Sequence, residues 1–341
     1  MDNVNRYFSP DYVSARRRFR EAVASCGGRL DFLELTSKGP LGEDLAIDIG
    51  WFGASNPRRV LVHSSGLHGV EAFAGSAIQL QWLAEGIRLL PEGTAIVLAH
   101  VLNPYGMAWL RRFNENNVDL NRNFLEPHEK FAGAPEGYQM LDGFLNPATP
   151  PSSDLFYLRG GLLARYGMAA LLQAIAGGQY VNPKGLFFGG ACLEQGPAKL
   201  QAYLADHLAG VERIMAIDIH TGLGRFGDDQ LLVDTASKRL AVNQKMRLMF
   251  GERVQLMDAN GIAYEARGAQ HGMYYGSFPR AQNLFCNAGV WHLPCNEGLS
   301  SAPGREIVGT TMAPGALTTQ RSCGFVRSSL RPTKLGGKPF C

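Results

Sequence analysis

Three apolar runs constrain this chain more than any other feature: RRVLVHSS (58–65), GTAIVLAHVLNP (93–104) and ERIMAIDIHTGLG (212–224). Each is short, rich in strand-forming residues, and closes on small or polar ones. The segment after the first run, AGSAIQLQWLAEGIRLL, has helical periodicity. Strands alternating with helices predict an α/β fold: a mostly parallel or mixed central sheet with helices on both faces. In such sheets ligands gather where loops leave the carboxyl ends of strands, and there each run turns polar.

The flanking segments agree with that frame. YVSARRRFREAVASCG predicts an amphipathic helix closed by Gly27 and Gly28, and DFLELTSKGPLGEDLAIDIGWFG alternates like a hairpin. Residues 125–160 are rich in Pro, Gly and polar groups and predict a surface excursion, and LRGGLLARYGMAALLQAIAGG predicts one helix. With 341 residues, 45% of them hydrophobic, the chain can bury one large core. The net charge of +3 is spread along it, and the Arg16–Arg20 cluster fits a solvated helix face, so no nucleic-acid partner is expected. No apolar leader opens the chain, no window is apolar enough to span a membrane, and six cysteines show no CxxC. A cytoplasmic protein with neither membrane span nor disulfide framework is the expectation.

LVHSSGLHGVEAFAGS (61–76) sets His68 and Glu71 three positions apart at the mouth of the first run. If a helical turn begins there, both reach one cation; a surface histidine and a helix-starting glutamate would read the same way. His220, in AIDIHTGLG, ends another strand run and fits a third ligand, with Asp218 two residues back on the same side to fix its tautomer. Between them NPYGMAWLRRFNENNVDLNRNF packs Arg111, Arg112, Asn121 and Arg122 into twelve positions. Guanidinium forks beside amides suit a carboxylate or a carbonyl oxygen that becomes anionic.

HGVE, NVDLNRNF and DIHTGLG, in that order, resemble the zinc carboxypeptidase superfamily, and the branch they look like is the bacterial DUF2817 group, near the aspartoacylases and succinylglutamate desuccinylases. The likeness runs from about Tyr7 to Arg280 and includes GPLGEDLAIDI and GGQYVNPKGLFFGG, with Ala72 where glycine is expected. It implies that His68, Glu71 and His220 bind zinc, that Arg112 (or else Arg111) polarises the scissile carbonyl, and that Asn121 and Arg122 grip a substrate carboxylate. Tyr264, in NGIAYEARG, would be the substrate-side tyrosine.

The resemblance also implies a glutamate that takes a proton from the attacking water, in a Glu-Phe-Gly-Thr strand near the C-terminus. No such segment exists; only Glu297 and Glu306 come after Arg280, in a Gly-, Ser- and Pro-rich stretch. From residue 282 the composition shows neither period. With free choice of synonymous codons, AQNLFCNAGVWHLPCNEG read from the second base permits a strand containing Glu-Phe-Gly-Thr. IVGTTMAPGALTTQRSCGFV read from the third base permits another familiar ending. The expectation is therefore an incomplete zinc hydrolase domain, 1–281, followed by an aberrant, out-of-frame and poorly ordered tail, 282–341. Reduced solubility is expected if a sheet edge is left uncovered.

The function expected is a zinc-dependent hydrolase of an amide bond next to a free carboxylate, a carboxypeptidase or an N-acyl amino acid deacylase, weakened by the missing glutamate. The alternative is a non-catalytic zinc-binding protein or degenerate gene product. A serine hydrolase at Ser64-Ser65-Gly66 lacks the G-x-S-x-G elbow.

Overall fold

The computed structural model describes residues 4–149, 161–222, 230–233, 240–256 and 266–290. Tyr264 and the tail past 290, with Glu297 and Glu306, lie outside them. Eight strands form one mixed sheet: β1 (Arg29–Lys38), β2 (Asp44–Gly53), β3 (Arg59–Ser65), β4 (Thr94–His100), β5 (Arg213–Thr221), β6 (Gln230–Val233), β7 (Val254–Leu256) and β8 (Gln282–Val290), in the order β1-β2-β4-β3-β5-β8-β6-β7. The four central strands, β4-β3-β5-β8, run parallel. The β1–β2 hairpin joins antiparallel at one side and β6 antiparallel at the other.

Alternation along the strands assigns the faces. Ile47, Ile49 and Trp51 of β2 share a core with Val60, Val62, Val97, and Leu200 and Leu204 of the helix Gln195–His207. The opposite face packs Phe52, Ile96 and Leu98 on Phe19 and Val23 of α1 (Tyr12–Ser25) and on Leu80 and Leu83 of α2 (Ala72–Glu85). Helices therefore cover both faces, as the sequence pattern predicts. Asp11 caps α1, accepting from the Ser14 N–H at 2.7 Å.

Four departures from the sequence reading have physical causes. Asp48, fully buried on β2 and facing α1, draws Arg16 to 2.9 Å and Arg20 to 2.8 Å, so the basic cluster is partly a buried counter-charge and not only a solvated face. The helical reading to Leu90 stops at Glu85, where Gly86 takes φ +85°. The helix expected across 158–178 is broken at Gly167, φ +75°, leaving Met168–Ala176 after the break. Finally, Gln282–Val290, expected within the aberrant tail, is strand β8, hydrogen-bonded to β5 on one side and β6 on the other. Its NLFC segment buries Leu284, Phe285 and Cys286, which is what an interior strand requires.

Candidate metal centre

The parallel strands β3 and β5 are neighbours and end together, so the loops that leave them converge. After Ser65, Gly66 turns the chain with φ +70°, and His68 precedes a single 3₁₀ turn, Gly69–Glu71, that leads into α2. That turn brings the side chains of His68 and Glu71 together. Its seat is tight. A Cβ on Gly69 would stand 2.1 Å from the Gly106 carbonyl carbon, in α3 (Pro104–Ala108). Two hydrogen bonds fasten the same contact: the Gly69 N–H donates to Arg112 O at 3.2 Å and the Val70 N–H to Arg111 O at 3.0 Å. Gly69→Ala must push the turn off this backbone. We expect a stability loss of about 1–3 kcal/mol, as for other overpacked sites, together with weaker metal binding; thermal unfolding and zinc stoichiometry check both.

The donor atoms of His68, Glu71 and His220 all lie within 4.8 Å of one another. His68 Nδ1 is 2.9 Å from Glu71 Oε1, the two Nδ1 atoms are 3.3 Å apart, and His220 Nδ1 is 3.6 Å from Glu71 Oε2. Zinc bonds of 2.0–2.1 Å at a tetrahedral angle set ligand atoms about 3.3 Å apart. These side chains therefore fit a zinc ion without rearrangement of the backbone.

The outer nitrogens carry the orienting contacts such a centre needs. His220 Nε2 is 2.7 Å from Asp218 Oδ2, and Asp218 Oδ1 accepts from the Ser64 hydroxyl. His68 Nε2 faces Asp119 Oδ1 at 3.4 Å and Arg112 Nη2 at 2.8 Å. Arg112 Nη2 donates to His68 Nε2, which leaves the ring proton on Nδ1 toward Glu71 Oε1. An ion taken on Nδ1 would move that proton to Nε2, where Asp119 Oδ1 is the acceptor and Arg112 must give way. Arg112 keeps Asp119 Oδ2, 3.2 Å from its Nε. Asp218→Asn puts a neutral amide where a buried carboxylate faces the His220 imidazole and accepts from the Ser64 hydroxyl. Zinc affinity is expected to drop about 10–100-fold, measured by competition with a chelator.

The electrostatics also call for a cation. Asp119 and Asp218 are fully buried beside Glu71. Burial opposes charge on His220, yet the carboxylates of Asp218 and Glu71 outweigh it and raise its pKa to about 10. Burial likewise pushes the Glu71 carboxyl up, and the His68 and His220 imidazoles hold it well below the usual range. Asp119 is held low against burial chiefly by Arg112, with His68. Without an ion, a proton on His220 supplies part of the positive charge; an ion displaces it.

The remaining expected site residues divide. Arg112, with a side chain 24% exposed, sits at the centre, 3.5 Å from Glu71 Oε1. Arg111 contributes its carbonyl to the Val70 N–H. The Asn121 N–H donates to Asp119 Oδ1 at 3.0 Å, and its side-chain oxygen accepts from the Gln270 N–H at 3.1 Å. Arg122 is 2% exposed and donates to backbone: Nε and Nη2 to Ala176 O, Nη1 to Asn121 O. Its fork ties loops together in a place where the resemblance implies a grip on substrate. Asp119 lies inside NVDLNRNF, where the cations and amides mask it in the sequence; the signal that could find it is a carboxylate among residues otherwise suited to anions. Glu194, accepting from Asn114 Nδ2 at 2.8 Å and Asn116 Nδ2 at 2.7 Å, carries no sequence signal at all.

No curated protein matches the chain. Among solved structures it is similar to carboxypeptidase A from Helicoverpa armigera, at 16% identity and TM-score 0.43, covering 83% of this chain and 64% of that one. It is similar to bovine thrombin-activatable fibrinolysis inhibitor, at 10% identity and TM-score 0.48, covering 85% and 88%. It is also similar to the succinylglutamate desuccinylase of Chromobacterium violaceum, at 14% identity and TM-score 0.39, covering 89% and 72%. The family described as a protein of unknown function, DUF2817, matches residues 8–287, so the in-frame likeness runs past residue 282, where the composition alone would begin the tail. A match over that much of the chain makes this protein a member of the DUF2817 family.

Proposed function

We propose that the protein is a zinc-dependent hydrolase of an amide bond adjacent to a free carboxylate, of the carboxypeptidase or N-acyl amino acid deacylase kind. The observation that carries this reading is the convergence of His68, Glu71 and His220 at ligand spacing. When bound there, zinc supplies Lewis-acid polarisation of a carbonyl and acidifies water. The chain's own residues supply the rest. Asp218 stands against the His220 ring, and Arg112, anchored on Asp119, against the His68 ring. Arg112 stands beside the ligands with its guanidinium anchored on Asp119, placed to donate to an oxygen that gains negative charge. The substrate is a small molecule or peptide ending in a carboxylate, and the protein works in the cytoplasm; no helix among the described residues is long and apolar enough to cross a membrane.

A second reading, a zinc-binding protein without catalysis, has its own support. The carboxylates of Glu71, Asp119 and Asp218 each already serve the centre, and none is left as a separate proton carrier. General acid–base help is worth roughly 10²–10⁴ in rate. We place the out-of-frame segment after residue 287, and resequencing the gene decides it. Zinc quantification on the protein and on His68→Ala tests the metal. A screen of N-acyl amino acids and short peptides tests the reaction, with the chain as written and with a Glu-Phe-Gly-Thr tail restored. Stoichiometric zinc with no turnover by either chain would favour the binder; no zinc in the unaltered protein would end both readings.

A further inference from the structure

Phe187 holds φ at +55°, in the left-handed region that bulky side chains avoid. Glycines stand within two residues on either side, at 185 and 189, yet an aromatic residue occupies the strained position. The surrounding backbone fixes it there. The Gln179 N–H donates to Phe187 O at 3.0 Å, and the Asp119 N–H to Phe188 O at 2.8 Å. The second contact ties the loop directly to the segment that carries the centre's arginines.

The ring has a specific neighbourhood. The guanidinium carbon of Arg112 lies 5.5 Å from its centroid and that of Arg122 lies 5.7 Å away. Two like charges share one ring. An aromatic face attracts a guanidinium without consuming its N–H groups, which a carboxylate in the same place would do. Strain that persists in a folded protein is held by its surroundings and concentrates at functional sites.

We infer that Phe187 is a positioning residue for a carboxylate subsite: its ring holds Arg112 beside the metal ligands, with Arg122 against the same ring, and its strained backbone puts the ring there. The inference rests on the proposed amide hydrolase and deepens it, by naming what holds Arg112 in place for a substrate carboxylate. Arg122 acts through its charge, since Nε, Nη1 and Nη2 already donate to backbone carbonyls.

Three variants of the full chain separate this from a packing role: Phe187→Ala, Phe187→Gly and Phe187→Tyr. Glycine relieves the left-handed strain that alanine keeps, so Phe187→Gly is expected to melt about 2 °C above Phe187→Ala. Both nevertheless lose the ring. Each is expected to bind hippurate, a carboxylate beside an amide, about tenfold more weakly by calorimetry, at unchanged zinc content, while Phe187→Tyr binds like the unaltered protein. The Arg112 and Arg122 Nε–H resonances, shifted by the ring current, are expected to move in the Ala and Gly variants and to stay in Phe187→Tyr. Hippurate binding that tracks melting temperature, with Phe187→Gly tighter than Phe187→Ala, overturns the inference; so do unmoved Nε–H resonances. If the unaltered protein ignores hippurate, carboxylate recognition in the proposed function fails, and the resonances alone decide the role of Phe187.

Discussion

Substituting His220 by alanine is expected to abolish zinc binding at the proposed centre, with the far-UV circular dichroism unchanged. His220 sits near the end of β5, paired along its length with β3 and β8, so the backbone that carries it is held on both sides. What the substitution removes is one of three donors. Loss of a partner that merely orients a ligand costs about 10–100-fold in affinity, and loss of the ligand itself costs more. Glu71 keeps the Thr221 N–H at 2.7 Å, a local anchor that does not depend on the imidazole. The loop leaving β5 should therefore hold its place while the metal is lost. Any turnover of N-acyl amino acids should fall to background with the zinc. Elemental analysis after dialysis reads the result. Stoichiometric zinc in the variant would show that the ion sits elsewhere.

Much of this centre is legible in the sequence, for a definite reason. Period-2 alternation and helical periodicity fix which segments pair and which cover them, and β3 and β5 then carry His68 and His220 to one end of the sheet. The spacing of His68 and Glu71 has meaning only if a helical turn starts between them, and the turn Gly69–Glu71 supplies it. The features that stay hidden depend on long-range contacts. The role of Arg122 turns on the Ala176 carbonyl, 54 residues away, which no local pattern announces. Asp48 gathers Arg16 and Arg20 only because β2 faces α1 across the sheet. β8 escapes a sequence reading because NLFCNAGV is polar at Asn283 and Asn287. Asn283 is buried and its amide donates to Phe278 O at 2.8 Å, a partner visible only in the fold.

Acid is expected to destabilise the metal-free protein steeply between pH 6.5 and about 4, through two histidines remote from substrate chemistry. His63 of β3 and His100 of β4 are 6% and 1% exposed. His63 meets the Gln79 amide at 3.2 Å, and His100 stacks on Phe19 with ring centroids 4.4 Å apart, its Nε2 2.9 Å from the Ser76 hydroxyl. Burial disfavours their charged forms, lowering His63 from 6.5 to about 4 and His100 from 6.5 to about 3. Above pH 6.5 both rings are neutral in the folded and unfolded states and contribute no slope. Below it the unfolded chain takes up two protons that the folded one refuses. Stability is then lost at a rate that climbs toward about 2.7 kcal/mol per pH unit, about 1.4 for each ring, until His63 protonates in the folded state. From pH 6.5 to 5 the loss is about 3 kcal/mol, a large part of an ordinary domain's 5–15 kcal/mol. His220 does not blur this window. Its pKa is raised to about 10, so its contribution is fully present below 6.5 and is lost only as pH rises toward 10. The depressed carboxyls of Glu71 and Asp119 have ordinary values of 4.5 and 3.8 and lose their contribution only in stronger acid. Urea unfolding of chelator-treated protein at half-unit steps from pH 6.5 to 5 measures the slope, and His100→Gln should halve it. A flat profile would mean that these imidazoles accept protons inside the fold, and that the buried face between α1, α2 and the sheet admits water.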